Sequence, residues 1–287
     1  MFEFSELAVR GLFMGLSIGV IALPISLLFL TTDTVDLAVG AYAVLAGAVV
    51  LLLAPVIGLA LAIGAGIAAA VLASVTVGMI ALRVNRPEKQ DQVIVALATF
   101  GVSAFLESMI LTVYGKNPIV RRPFESLWDF FGIIVSPQVF INLLVSIVIL
   151  AVLSLILYAT PFGRAMRACA INPIGASLAG IPVRLIWFAT YIFGGLLAGI
   201  AGILILNTTG MDYSSGLNFT IGAFGAAILL GLSSPLRAFL GGIVMGLVHA
   251  FSSGYLPGAW ATAVPLAVVF VFLSRGKMTR AAAGGRA

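Results

Sequence analysis

Apolar positions in this chain fall in long runs rather than in the alternation of a half-buried strand. The runs cover residues 11–30, 37–54, 56–82, 93–114, 139–159, 185–206, 219–232, 239–251 and 259–273, separated by short polar segments rich in Pro, Gly, Asp and Arg. A helix needs about 20 apolar residues to cross the hydrocarbon core of a bilayer, and such runs recur from one end of the chain to the other. Two are short for full spans. The run 37–54 follows Thr31, Thr32, Asp33, Thr34, Val35 and Asp36, and the run 219–232 ends at Ser233, Ser234 and Pro235, so each is a candidate half-helix or re-entrant element. Irregular backbone survives at membrane depth only where protein or a water-filled cavity satisfies it.

Composition fixes the class. Of the residues 62% are hydrophobic and 9% charged, which leaves the bilayer as the solvent and no soluble domain over. The expected fold is all-α, a polytopic membrane bundle of about eight (eight to ten) segments with short broken or re-entrant helices, forming a single domain over 1–287. Glu3, Glu6 and Arg10 in the first ten residues, with many apolar runs behind them, argue against a cleaved secretory signal. Cys169 is the only cysteine, so no intramolecular disulfide is available. The single histidine, His249, has no Cys, His, Asp or Glu clustered with it, which excludes a metal site and reads as helix packing or an interfacial position.

The net charge of +5 belongs to loops between runs, which makes it a topology signal rather than a nucleic-acid surface. Arg83, Arg86 and Lys89 lie in one loop, Arg164, Arg167 and Arg184 in another, Arg237 in a third, and Arg275, Lys277, Arg280 and Arg286 in the tail. Alternating crossings put these four regions on one face, which the positive-inside rule makes cytoplasmic. The other face receives Lys116, Arg121 and Arg122 together with Glu125, Asp129 and Asp212. Nine full spans place the N-terminus outside. One re-entrant segment near Asp33 leaves eight and places it inside, the count favoured here. Small residues at four-residue spacing (Gly11, Gly15, Gly19; Gly195, Gly199; Gly242, Gly246) suit close helix packing without a hydrophobic driving force. Gly40-Ala41-Tyr42 and Gly222-Ala223-Phe224 form a weak internal echo in the two short runs.

The most informative polar segment is the loop 160–184. Thr160 before Pro161 and Asn172 before Pro173 are two N-cap and N1-proline signals, so two helices start here. Gly180 suits the left-handed position after the second, and Pro182 prevents its continuation. A simple connector needs only a handful of residues. This one predicts a structured knob on the cytoplasmic face.

Thr160, Gly163, Arg164, Ala165, Met166, Arg167, Ala168, Asn172, Pro173, Ala176, Gly180 and Ile181 resemble the loop of the permeases of branched-chain amino acid ABC transporters and their broader relatives. Gly11 to Gly15, Thr99-Phe100-Gly101 and the region from Phe224 to Gly242 extend the resemblance over nearly the whole chain. The resemblance implies that 160–184 is the element that seats in a groove of a cytoplasmic ATPase, with Ala176 small enough for close seating. It further implies a second permease subunit, identical or homologous, two ATP-binding subunits that carry the ATP and Mg, and an extracytoplasmic solute-binding protein. It implies no cofactor on this chain and a multi-pass location in a prokaryotic plasma membrane. In one place the chain departs from the amino-acid permeases: Val35-Asp36-Leu37-Ala38-Val39-Gly40 is more similar to the related sugar permeases, so a sugar stands as the alternative solute.

Charges within or beside apolar runs are candidates for the translocation path. Asp33, Asp36, Gly40 and Tyr42 open one short run, Phe224 sits in the other, and Glu107 lies deep in 93–114. Asp36 reads equally as a helix cap and as a cavity-lining group. There is no Gly-x-x-x-x-Gly-Lys-Ser/Thr loop, so energy comes from a partner or from a gradient. The second reading is an ion-coupled secondary transporter or channel, for which Glu107 is the one isolated deep acid. An intramembrane enzyme is disfavoured, since no nucleophile and base or carboxylate pair can be assembled.

Overall fold

The structure, a computed structural model, describes residues 2–84, 92–124, 128–130 and 133–274. Arg86, Lys89, Glu125, Arg275, Lys277, Arg280 and Arg286, used above for orientation, lie outside the described residues. The order is α1 (Phe2–Thr32), α2 (Val39–Ile57), α3 (Leu59–Val84), α4 (Gln92–Val113), β1 (Trp128–Phe130), β2 (Ile133–Val135), α5 (Gln138–Ala159), α6 (Pro161–Ile171), α7 (Pro173–Leu178), α8 (Val183–Leu206), α9 (Ser215–Leu230), α10 (Pro235–Tyr255) and α11 (Gly258–Ser274). Nine of the helices answer to the nine apolar runs. Seven are long and apolar enough to cross a membrane (α1 to α5, α8 and α10), while α9 and the apolar part of α11 are shorter. The protein is a polytopic helical membrane bundle, within the expected range of eight to ten segments. β1 and β2 form a small antiparallel hairpin between α4 and α5.

Burial separates the centre of the bundle from its rim. In α1 and α8, 67% and 72% of the best spanning window is covered by protein, against 28% in α4 and 22% in α5, which lie at the rim. α1 runs antiparallel to α10 through the predicted glycine seam. A side-chain carbon on Gly15 would stand 2.6 Å from the Ile243 Cα, and one on Gly246 would overlap the backbone of Gly15. Gly195 on α8 meets α3 the same way, 2.7 Å from the Ser74 Cβ, and the Ser74 hydroxyl donates to the Tyr191 carbonyl at 2.7 Å. Small residues here let dispersion contacts between backbones replace the hydrophobic drive that lipid removes.

The re-entrant expectation near Asp33 is corrected. α2 has 19 residues, enough to span, and the irregular element is the turn 33–38 before it. α1 begins beside the end of α10, where Leu7 meets Gly254. It ends near the α9–α10 turn, where the Ser26 hydroxyl donates to the Leu232 carbonyl at 2.7 Å. The other face is tied by a bridge between Ile119 and Met211 and by the Arg121 N–H donating to the Leu206 carbonyl at 2.9 Å.

Candidate functional site

The turn 33–38 is held inside protein by polar groups drawn from four helices. α1 ends with Asp33 in the left-handed region at φ 53°, its N–H still bonded to the Phe29 carbonyl. The Gln92 amide donates to the Asp33 carboxylate at 2.9 Å. Asp36 is 1% exposed; its carboxylate accepts the Ala38 N–H at 2.8 Å and the Tyr42 hydroxyl at 3.1 Å. The Leu37 N–H donates to the Thr99 hydroxyl of α4 at 3.0 Å, and the Gly40 N–H to the Thr220 hydroxyl of α9 at 2.9 Å. The Trp187 indole of α8 donates to the Thr31 carbonyl at 2.9 Å. Apart from the exposed Gln92–Asp33 pair, these groups are left over where one helix stops and the next starts, and they find partners in the protein interior.

The capping reading of Asp36 is corrected: the N-cap position of α2 is Ala38, with no side-chain cap. The helix starts at Val39, and the carboxylate serves the N–H of Ala38 instead of capping a helix that begins at Leu37. Of the candidate path residues, Asp36, Gly40 and Tyr42 are all buried in a closely packed knot. A Cβ on Gly40 would overlap the Gly216 carbonyl and stand 2.8 Å from the Thr220 hydroxyl, so α2 and α9 cross here nearly backbone to backbone. Thr99, Thr220 and Trp187 were missed as site residues. For Thr220 and Trp187 the signal is a lone hydrogen-bonding group within an apolar run, and for Thr99 also its place in Thr99-Phe100-Gly101.

The remaining path candidates do not join this knot. Glu107 is half-buried on the peripheral α4, with no hydrogen bond or ion pair to another described residue. Phe224 packs on the main core. The echo of Gly40 in Gly222 fails at the level of surroundings: Gly40 has no room for a side chain, whereas one on Gly222 would meet nothing within 4 Å. Gly222 and Phe219 line a cavity of about 430 Å³ on the other side of α9.

In the segment 160–184 the predicted cap design is present in both helices. The Thr160 hydroxyl accepts the Gly163 N–H at 3.0 Å to open α6, and the Asn172 side chain accepts the Gly175 N–H at 2.9 Å to open α7, each with proline at the first helical position. α7 closes in a Schellman turn. Gly180 has φ +83°, its N–H bonds to the Ser177 carbonyl, and the Ile181 N–H bonds to the Ala176 carbonyl, both at 3.0 Å. Gly163 is packed against the carbonyls that end α5, where a Cβ would overlap Ile156 and Leu157. Arg167 donates to the Leu157 carbonyl and lies 5.2 Å from the centre of the Tyr158 ring, so it fastens α6 to α5, while Arg164 is exposed. α6 also packs on α1 and α8, and α7 on α8.

One expectation here is corrected. Ala176 is 6% exposed and faces the protein, because its position in the Schellman turn points it inward with Ile181. The outward apolar groups are Ile171, Ile174 and Leu178, the last 84% exposed.

Comparison with known proteins agrees with this architecture. Residues 7–273 match the family described as branched-chain amino acid transport system, permease component. The chain is similar to the high-affinity branched-chain amino acid permease LivH of Escherichia coli K12, 30% identical over 198 residues, which are 66% of this chain and 64% of that protein's length. It is 29% identical to the probable LivH of Methanocaldococcus jannaschii over 84% of this chain and 79% of that one. A nucleoside ABC transporter permease, NupB of Lactococcus lactis, is 25% identical over 45% of this chain and 37% of its own length. Among solved structures, PsaBC from Streptococcus pneumoniae in complex with Fab shares the fold, with a TM-score of 0.52 at 13% identity over 92% of this chain and 89% of that one. The chain belongs to the family of branched-chain amino acid transport system permeases.

Proposed function

We propose that the chain is the membrane permease of an ATP-binding-cassette importer in a prokaryotic plasma membrane, moving branched-chain-type amino acids or related small polar solutes. It works with a second permease copy or homologue, receives solute from an extracytoplasmic binding protein, and draws on ATP hydrolysed with Mg by two cytoplasmic subunits, binding no cofactor itself. The observation that carries this reading is the α6–α7 element, twice capped and fastened to α5, which turns Ile171, Ile174 and Leu178 outward. An apolar cluster on a charged cytoplasmic face suits seating in a partner's groove. Short capped helices pass on a rigid movement that a floppy loop would absorb.

The route inward runs through contacts already described. α6 packs on α1 and α8, and Trp187 joins the start of α8 to the end of α1 at Thr31. A shift of α6 and α7 therefore bears on the turn at Asp36 and, through Gly40 and Thr220, on α9. The sugar alternative rests on the pattern from Val35 to Gly40, and a nucleoside permease stands among the relatives.

Co-purification followed by reconstitution tests the proposal. The complex with both ATPase subunits and its binding protein is expected to take up leucine only when ATP is supplied to the cytoplasmic face. Uptake by the chain alone, driven by an ion gradient, would overturn it in favour of a secondary transporter. Uptake of a pentose with no amino acid accepted would move the solute to the sugar branch.

A further inference from the structure

α9 and α11 meet where a Cβ on Gly225 would stand 3.0 Å from the Val269 side chain. Between that crossing and the starts of the two helices lies the cavity of about 430 Å³, backed by α1, α10 and the end of α8. It opens sideways, since Ile221 of α9 and Leu266 of α11, both on its lining, are 44% and 54% exposed.

The lining is sorted by polarity along the bundle. Thr209 lies just past the end of α8 and Asn218 in the first turn of α9. Gly241 packs on Ala226, so the antiparallel α9 and α10 bring His249 level with Asn218. This end lies away from α6 and α7, because α8 starts just after α7 and crosses the bundle before the chain reaches Thr209. His249 sits about 9 Å below the exposed Tyr255 at the end of α10, a residue type that collects at membrane interfaces. Toward the middle of the bundle the wall becomes apolar, with Ile21, Ile221, Met245 and Leu266 and only Ser17 polar among them. The side chains of Ser17, Asn218 and His249 hydrogen-bond to no other described residue, and the His249 Nδ1 is buried. Acyl chains alone would leave these groups unsatisfied. The apolar half, in turn, offers too few polar partners to hold ordered water.

We propose that this crevice seats one phospholipid from the leaflet opposite α6 and α7, with its glycerol ester region at Thr209, Asn218 and His249 and one acyl chain along Ile221, Met245 and Leu266. The ester and phosphate oxygens accept from the Asn218 amide, the Thr209 hydroxyl and the imidazole N–H. An amphiphile matches both halves of the wall, whereas a wholly apolar filler strands the polar end. Anionic headgroups are selected by clustered Lys and Arg, and no charged residue lines the cavity, so the seat does not discriminate by headgroup charge. The opposite face of α9 carries Gly216 and Thr220 against α2, so the lipid braces α9 at that contact. The assignment goes beyond the permease reading and does not depend on which solute is carried.

Gly222 provides the test, because it lines the crevice and a Cβ there meets nothing within 4 Å. In native mass spectrometry of the full chain in mild detergent, wild type is expected to retain one phospholipid per copy more than Gly222→Phe. Val148→Phe, at an exposed position on α5, should match wild type. His249→Leu and Asn218→Leu should each weaken retention about threefold. A bimane on Gly222→Cys gives a second reading, since the native Cys169 is buried. Phosphatidylcholine with brominated chains, added near one lipid per protein, should quench it, while the same label on Val148→Cys should need about fivefold more lipid. Phosphatidylglycerol with the same chains should quench equally well. Neither glycerophosphocholine, a headgroup without chains, nor hexadecane, a chain without a headgroup, should compete. Equal retention by wild type and Gly222→Phe, or equal quenching at the two labelled positions, would overturn the assignment. Competition by hexadecane would reduce the seat to an apolar gap and overturn it too. So would a disulfide between two copies of Gly222→Cys, which would give the crevice to a second permease.

Discussion

The side chain of Asp36 shows how a charged residue is retained within an apolar bundle. Its two oxygens each hold a donor, the Ala38 N–H and the Tyr42 hydroxyl, both of which would otherwise be buried without a partner. Asp36→Ala strands both donors at about 1–3 kcal/mol each, whereas Asp36→Asn keeps one acceptor oxygen and is expected to lose roughly half as much. Thermal unfolding of the purified permease in detergent should rank wild type above Asp36→Asn above Asp36→Ala. Equal midpoints for all three would show that the carboxylate does not hold the turn. Gly40→Ala is expected to be worse than either, since its methyl meets the Gly216 carbonyl, which is backbone and cannot move aside. At this scale the sequence was legible where partners are local. That Asp36 would accept a backbone N–H just after it could be read from the residues that follow it. Thr99, Thr220 and Trp187 could not, because they lie 62, 180 and 156 residues from the groups they meet.

At the scale of elements, α6 and α7 were legible almost completely, because caps, N1 prolines and the closing glycine act within four or five residues. What escaped was the outward face of α7. A six-residue helix carries too little periodicity to declare a side, and packing on α8 decides that Ala176 turns inward while Leu178 turns out. The prediction for docking therefore moves to Leu178. Leu178→Glu touches little of its own chain and is expected to leave membrane levels intact while removing ATPase co-purification; retained co-purification would exclude this face as the seat. Gly180 tests the turn separately. A β-branched residue at φ +83° costs on the order of 1–2 kcal/mol, whereas asparagine tolerates the left-handed region. With nothing within 4 Å of a Cβ there, any effect is of backbone origin. Gly180→Val should depress ATP-driven uptake severalfold and Gly180→Asn should largely restore it. Equal uptake by both would mean that the turn does not transmit force.

At the scale of the whole molecule, the count of crossings turns on the two shorter helices, α9 and α11. The runs located the helices well, since a run of apolar residues in lipid has few alternatives to helix. The number of crossings was harder to read, because 37–54 looks short only when its start is placed at the polar residues, and the packing shows α2 continuing through Pro55 to Ile57. The direction of α1 then follows from its neighbours. Its beginning lies against the end of α10 and its Ser26 against the turn that precedes Arg237, while its far end meets Trp187, just after the α6–α7 element. If that element is cytoplasmic, the N-terminus is not, and nine alternating helices carry the chain from an external start to a cytoplasmic tail. Single cysteines read this directly against the buried Cys169. Glu6→Cys sits at an exposed position whose ion pair with Arg10 contributes little. It is expected to react with an impermeant maleimide in intact spheroplasts, whereas Arg164→Cys, in the chain expressed without partner subunits, should react only after permeabilisation. The reverse pattern would invert the whole bundle and move the apolar face of Ile171, Ile174 and Leu178 away from any cytoplasmic ATPase. Reaction of both only after permeabilisation would mean an even number of crossings, with one of the two short helices, α9 or α11, failing to span.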